Sequence, residues 1–195
     1  CSILKESAGA NSTGIRLYSS EISVSNSIIW GYESYCISTI DVNCIVNVDY
    51  SNVEGGYTGL GNIDADPVLY GNYHLKYNSP CINVGSVVTG GVVDVDGESR
   101  TNNVCDMGFD EFSDTDGDYL PNIVETGTGL MNSETDMGSN PLIPDSDGDN
   151  QFDGMEWMSD TDPNNADSFL GFIAMLNQNG TNTLQWKGGS AVTQV

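Results

Sequence analysis

Two stretches of this sequence place oxygen-bearing side chains at the spacing by which a short loop wraps a hard cation. Asp114-Thr115-Asp116-Gly117-Asp118-Tyr119-Leu120-Pro121-Asn122-Ile123-Val124-Glu125 puts Asp114, Asp116, Asp118, Asn122 and Glu125 at loop positions 1, 3, 5, 9 and 12, with the carbonyl of Leu120 at position 7. Asp145-Ser146-Asp147-Gly148-Asp149-Asn150-Gln151-Phe152-Asp153-Gly154-Met155-Glu156 repeats that register with Asp145, Asp147, Asp149, Asp153 and Glu156, and has Gln151 at position 7. Calcium takes about six to eight oxygens in a flexible arrangement, whereas magnesium demands a tighter octahedron, so the expected cofactor is Ca2+, two or more ions. Between Thr101 and Trp186 there is no Lys or Arg. Crowded carboxylates without a cation repel one another, so an ion is needed to hold each loop together. Asp136, Asp160 and Asp162 are further ligand candidates, with helix or turn capping as their alternative role.

The elements around these loops are short. Glycine stands at position 4, as Gly117 and Gly148, and not at position 6, where Tyr119 and Asn150 sit and where an EF-hand has its glycine. Ile123 to Thr126 and Met155 to Met158 offer about one helical turn each, too little for a sensor that opens a hydrophobic groove. The loops resemble the thrombospondin type 3 repeats and their bacterial relatives, in which Asp-x-Asp-Gly-Asp loops followed by an Asn-Pro or Asp-Pro step wind around calcium with little hydrophobic core. Asn140-Pro141 and Asp162-Pro163 stand where that step belongs, and the resemblance covers about residues 113–167. The loops start 31 residues apart, and the longer interval after the first, around Gly127 to Asp136, is expected to form an exposed excursion.

Charge sets the partner classes. The 195 residues hold 28 Asp and Glu against 5 Lys and Arg, a net charge of −23, which excludes nucleic acid as a partner because a basic footprint is lacking. The longest apolar stretch, Phe169 to Leu176, falls far short of the roughly 20 residues that span a bilayer, so no membrane span is expected. Neither a signal peptide nor a lipidation motif is present. Because the sequence opens at Cys1 without an initiator Met and closes at Val195 within strand-like residues, it is expected to be a piece of something longer.

Basic residues mark the boundary between two compositions. Lys5, Arg16, Lys76 and Arg100, four of the five, lie in residues 1–100. There, Cys1-Ser2-Ile3-Leu4-Lys5, Asn26-Ser27-Ile28-Ile29-Trp30 and Tyr50-Ser51-Asn52-Val53-Glu54 align at offsets of 25 and 24. The alternating stretches Ile22-Ser23-Val24-Ser25 and Ile45-Val46-Asn47-Val48 precede two of them with the period of half-buried strands. A repeat of about 24 residues built from short strands and turns is what one coil of a parallel β-solenoid requires.

A second resemblance rests on Gly61-Asn62-Ile63-Asp64-Ala65-Asp66-Pro67, Tyr73-His74-Leu75, Asn78-Ser79-Pro80-Cys81-Ile82-Asn83-Val84-Gly85, Asp94-Val95-Asp96-Gly97 and Asp106-Met107-Gly108-Phe109-Asp110-Glu111. Their succession resembles the closing coils of right-handed parallel β-helix domains in bacterial secreted proteins of the pectate-lyase-like superfamily. It covers residues 1–111 and implies architecture, since such helices serve as enzymes, adhesins and scaffolds alike. Polysaccharide lyases of that type pair a Lys or Arg base with acidic calcium ligands, and the scattered basic residues here do not. His74, the only histidine, lacks a nucleophile or base partner at a telling spacing and reads as a structural histidine in a cap. Asp64 and Asp66 read as turn caps. No catalytic residue is assigned.

The expected fold is therefore mainly β: a right-handed parallel β-helix over 1–111, calcium-wrapped irregular repeats over 112–167, and over 168–195 an incomplete hairpin or the start of a β-sandwich. Phe169 to Leu176 and Thr183 to Lys187 supply its strands around a turn at Asn177 to Asn182. An open edge there calls for a covering neighbour. The five cysteines lack a C-x-x-C pair; Cys36 with Cys44 and Cys81 with Cys105 are spaced for local disulfides, with Cys1 left over, or all five are buried hydrophobes. Asn11-Ser12-Thr13 and Asn179-Gly180-Thr181 match the N-glycosylation pattern, which means little if the source is bacterial, as the resemblance implies.

Three functions follow as expectations. The first is a non-catalytic, calcium-stabilised structural or adhesive segment of a secreted or cell-surface protein, with extracellular glycans as possible contacts. The second is the C-terminal part of a carbohydrate-active β-helix enzyme whose catalytic coils lie upstream. The third is a subunit of an extracellular filament, assembled from copies of itself through exposed β edges.

Overall fold

The computed structural model describes residues 1–4, 13–32, 35–71, 73–100, 104–169, 171–178 and 181–187, with the backbone alone at 35, 172–178 and 181–187. Lys5, both glycosylation motifs at Asn11 and Asn179, and the centre of the C-terminal turn lie wholly or partly outside the described residues. The chain is mainly strand with little helix, 26% against 6%, in keeping with the mainly β class. It divides into two compact units, Cys1–Phe112 and Ser113–Val195.

In the first unit, strands pair in parallel with partners about two dozen residues onward. β1 (Ser2–Leu4), β4 (Ile28–Trp30) and β7 (Asn52–Val53) form one sheet, β2 (Thr13–Leu17) pairs with β5 (Tyr35–Thr39), and β3 (Glu21–Ser25) pairs with β6 (Ile45–Asp49). Ile28 faces Asn52 and Ile29 faces Val53, the expected offset of 24. The first pairing departs from expectation: Ile3 faces Ile29 and Leu4 faces Trp30, an offset of 26 rather than 25. A slip of one residue turns every side chain to the other face of a strand. The observed register stacks Ile3, Ile29 and Val53 in one apolar cluster and Leu4, Trp30 and Ile28 in another, which an offset of 25 would have mixed.

The corners repeat as well. Asn26 and Tyr50, 24 residues apart, both hold left-handed backbone, φ 47° and 48°, just before β4 and β7. Ser27 donates its N–H to Ser51 Oγ across the interval, and Glu54 Oε2 accepts from Gly31 and Tyr32, tying one pass of the chain to the next. Asn52 is fully buried, yet its amide donates to Ala65 O and Cys81 Sγ and accepts from Ala65 N, so its polar atoms are satisfied.

The unit continues with β8 (Leu69–Tyr70) antiparallel to β9 (His74–Leu75) and a segment with few regular strands, in which buried carboxylates accept backbone N–H groups. Asp106 accepts from Asn83 and Phe112, Asp110 from Leu75, and Arg100 bonds the carbonyls of Gly108 and Asp106 and pairs with Glu111 at 3.1 Å. Asp66 caps the turn at Val68, and Asp64 reaches back to Gly55 N. All five cysteines are free thiols. Cys36 is buried against Ile29 O, and burial pushes its thiol up to about 11, so of the two readings the hydrophobic one describes it.

The second unit has little regular structure before its last strands: a 3-10 turn at Asn122–Val124 and a helix, α1 (Asp153–Ser159). Beside buried Leu120, Val124 and Met137, its interior holds Asp118, Glu125, Asp153 and Glu156. β10 (Gly171–Gln178) and β11 (Thr181–Lys187) form an antiparallel hairpin. Its strands extend through Gln178 and Thr181, leaving a shorter connection than the six residues expected, because Asn177 and Asn182 pair within the ladder.

Candidate metal centre

The two acidic loops fold alike. Asp114 and Asp145, at position 1, turn their carboxylates inward to accept from the N–H groups at positions 4 and 6: Gly117 and Tyr119 in one loop, Gly148 and Asn150 in the other. These turns require left-handed backbone at both positions; φ is 80° at Gly117 and Tyr119, and 80° and 75° at Gly148 and Asn150. Position 5 accepts from the N–H of position 7, Asp118 from Leu120 and Asp149 from Gln151, each at 2.7 Å. Position 9 braces position 2: Asn122 Oδ1 accepts from Thr115 N, and Asp153 accepts from Ser146 N and Oγ.

Positions 3 and 12 behave differently. Both oxygens of Asp116 and one of Asp147 are shut off from solvent without a hydrogen-bond partner, as are one oxygen of Glu125 and both of Glu156. A buried polar atom without a partner costs about 1–3 kcal/mol, and more when it carries charge. Here such atoms recur at matching positions of two loops, and no Lys, Arg or His occurs anywhere in residues 113–169 to compensate them.

The electrostatics say the same. Burial, reinforced by the charges of Asp118 and Asp116, pushes the Glu125 carboxyl up to about 8. Burial together with Asp147 and Asp149 does likewise for Glu156, also to about 8. Asp118 rises to about 7, chiefly by burial, against the opposing hydrogen bonds from Leu120 and Gly154. Asp116, Asp147 and Asp153 are raised as well, in each case first by burial. Carboxyls this unwilling to ionise are those with the most to gain from a bound cation.

Among the described residues of this unit, carboxylate oxygens within 4.8 Å of one another fall into three groups: Asp114, Asp116 and Asp118; Asp145, Asp147 and Asp149; and Asp118, Glu125 and Asp153. The third group joins residues of both loops and was not foreseen, since sequence spacing treats each loop as self-contained. Its one sequence signal is Gly154, whose N–H donates to Asp118 Oδ2 and where a Cβ would lie 2.3 Å from Asp118 O. Glycine there lets α1 approach the first loop.

The remaining candidates divide. Asp162 contributes to raising Asp147, and its own Oδ1 accepts from Asn164 N. Asp136 lies outside every group: Thr126 and Asn132 hold its carboxylate in the exposed excursion and lower its pKa. Asp160 is likewise outside, an exposed left-handed residue (φ 56°) closing α1, so capping describes it. Asn140 and Asp162, before their prolines, share one arrangement, each N–H donating to a Ser hydroxyl six residues on.

A fourth group lies in the first unit, where His74 Nδ1 sits 2.9 Å from Asp110 Oδ1 and 3.2 Å from Asp96 Oδ2. The imidazole ring thus stands beside both carboxylates, whereas residues 113–169 hold no Lys, Arg or His to stand beside theirs. Comparison with protein-family models, with curated proteins and with solved structures returns no match.

Proposed function

We propose that this chain is a non-catalytic, calcium-stabilised structural or adhesive segment of a secreted or cell-surface protein, a parallel β-solenoid over residues 1–111 followed by a calcium-wrapped stalk over 112–167. The observation that carries the calcium reading is the set of partnerless, solvent-shielded carboxylate oxygens at positions 3 and 12 of both loops. One ion in the first loop would be held by Asp114, Asp116 and Asp118; one in the second by Asp145, Asp147 and Asp149, with Glu156 near enough for Asp147 and Asp149 to raise its pKa. An all-oxygen donor set suits calcium over softer metals. The ion neutralises charge that the fold buries, and it stabilises the folded state by mass action. At extracellular calcium levels, sites with a Kd of about 0.1–1 mM suffice.

Support for the solenoid is the parallel pairing at intervals near 24 residues, with Ile3, Ile29 and Val53 in one column. A second reading, a subunit of an extracellular filament, is favoured by the C-terminal hairpin, whose two strands pair only with each other among the described residues.

Thermal unfolding of the chain with calcium and with chelator, followed on Trp157 fluorescence, tests the proposal. The expected outcome is a calcium-dependent rise in melting temperature. Equal melting in both conditions would overturn the calcium stalk.

A further inference from the structure

We infer that a third calcium ion binds between the loops, held by Asp118, Glu125 and Asp153, and that it makes filling of the two loops cooperative. The inference rests on the calcium reading above and adds a site that neither loop forms alone.

All three residues are more than nine-tenths buried: Asp118 and Asp153 are fully shielded and Glu125 is 4% exposed. Their oxygens approach within 4.8 Å, and Glu125 Oε2 has no hydrogen-bond partner. Three carboxylates enclosed at this distance cannot all carry charge without a cation among them. The remaining bonds hold the group in place without compensating its charge: Ser139 Oγ to Glu125 Oε1, Gly154 N to Asp118 Oδ2, and Ser146 to both oxygens of Asp153.

Position in the two loops is what yields cooperativity. Asp118 belongs to the first-loop group and to the shared group. Asp153 is position 9 of the second loop, and through Ser146 it braces the turn that carries Asp145 and Asp147. An ion on Asp118 and Asp153 therefore orders one side of each loop, and ions in the loops fix two of its three ligands. Each occupied site lowers the ordering cost of the others, which is coupling in the thermodynamic sense.

The experiment is a chelator-buffered calcium titration of the full chain with bound ions counted at saturation. Wild type is compared with Asp153→Asn and Glu125→Gln, which keep size and lose charge. Expected are three ions and a Hill coefficient above one in wild type, falling to two ions with a coefficient near one in both variants. Two independent ions in wild type, unchanged by either substitution, would overturn the shared site while leaving the loop sites standing. No bound calcium in wild type would overturn both. Should one variant fail to fold, the other carries the comparison, and far-UV circular dichroism separates lost folding from lost binding.

Discussion

In the first unit Asp106 and Asp110 are buried with every oxygen engaged: Asp106 accepts from Asn83 N and Phe112 N, Asp110 from Leu75 N and from the His74 ring. In the second, Glu125 and Glu156 are as deeply buried, and three of their four oxygens have no hydrogen-bond partner. Burial raises the pKa of all four. What differs is the partner the fold supplies. The first unit uses carboxylates as backbone clamps beside two apolar clusters; the second buries them beside Leu120, Val124 and Met137, so under the proposed reading its stability depends on a bound cation.

Breaking the apolar side of the comparison should give the largest effect. Ile29 is fully buried in the cluster with Cys36, Val48 and Val53. Ile29→Ala should destabilise the first unit by about 2–5 kcal/mol, with or without calcium. Denaturant unfolding followed at Trp30, in calcium and in chelator, checks it; a calcium-dependent loss would mean that the ion supports the first unit too.

The second unit should respond to charge with a sign that depends on the ion. Glu156→Gln removes a carboxylate that has no partner. In chelator it should raise the melting temperature of the second unit, and in calcium it should lower the temperature and weaken second-loop binding. A variant that destabilises equally in both would mean that Glu156 is only a packing element.

The same logic fixes the pH dependence. Glu125 and Glu156 near 8 and Asp118 near 7 are raised above the ordinary carboxyl range, so the stability linked to their protons is fully present below about pH 4 and lost as pH rises through 7 to 8. In chelator the second unit should therefore be more stable at pH 5 than at pH 8.5. In calcium the order should reverse, because protons compete with the ion. Urea midpoints at the two pH values, in each condition, give the comparison directly.

How much of this was legible in the sequence varies with the range of the interaction. The gathering of Asp114, Asp116 and Asp118, and of Asp145, Asp147 and Asp149, was, because each set lies within one short segment that local turns fold together. The parallel strands were as well, since Ile28-Ile29 and Asn52-Val53 carry the repeat in their pattern, but the register at Ile3 was set by which apolar cluster it joins, a tertiary choice. The shared group was not legible, because Asp118 and Asp153 are 35 residues apart and meet only where Gly154 allows backbone contact. Nor did the sequence show that His74 faces Asp96 and Asp110.

The smallest effect is expected where sequence spacing alone suggested a ligand. Asp136 lies in the interval between the two acidic loops, yet its two oxygens accept from Thr126 Oγ1 at 2.7 Å and Asn132 Nδ2 at 2.8 Å. Those bonds lower its pKa, the reverse of the shift at Glu125 and Glu156, because side-chain donors from Thr126 and Asn132 stabilise its charge. Asp136→Asn should leave calcium stoichiometry and affinity unchanged and loosen only the excursion from Gly127 to Gly138, read as faster amide exchange at Asn132 and Ser133. Loss of an ion in that variant would move Asp136 into the centre and show that a carboxylate already held by side chains can still serve as a ligand.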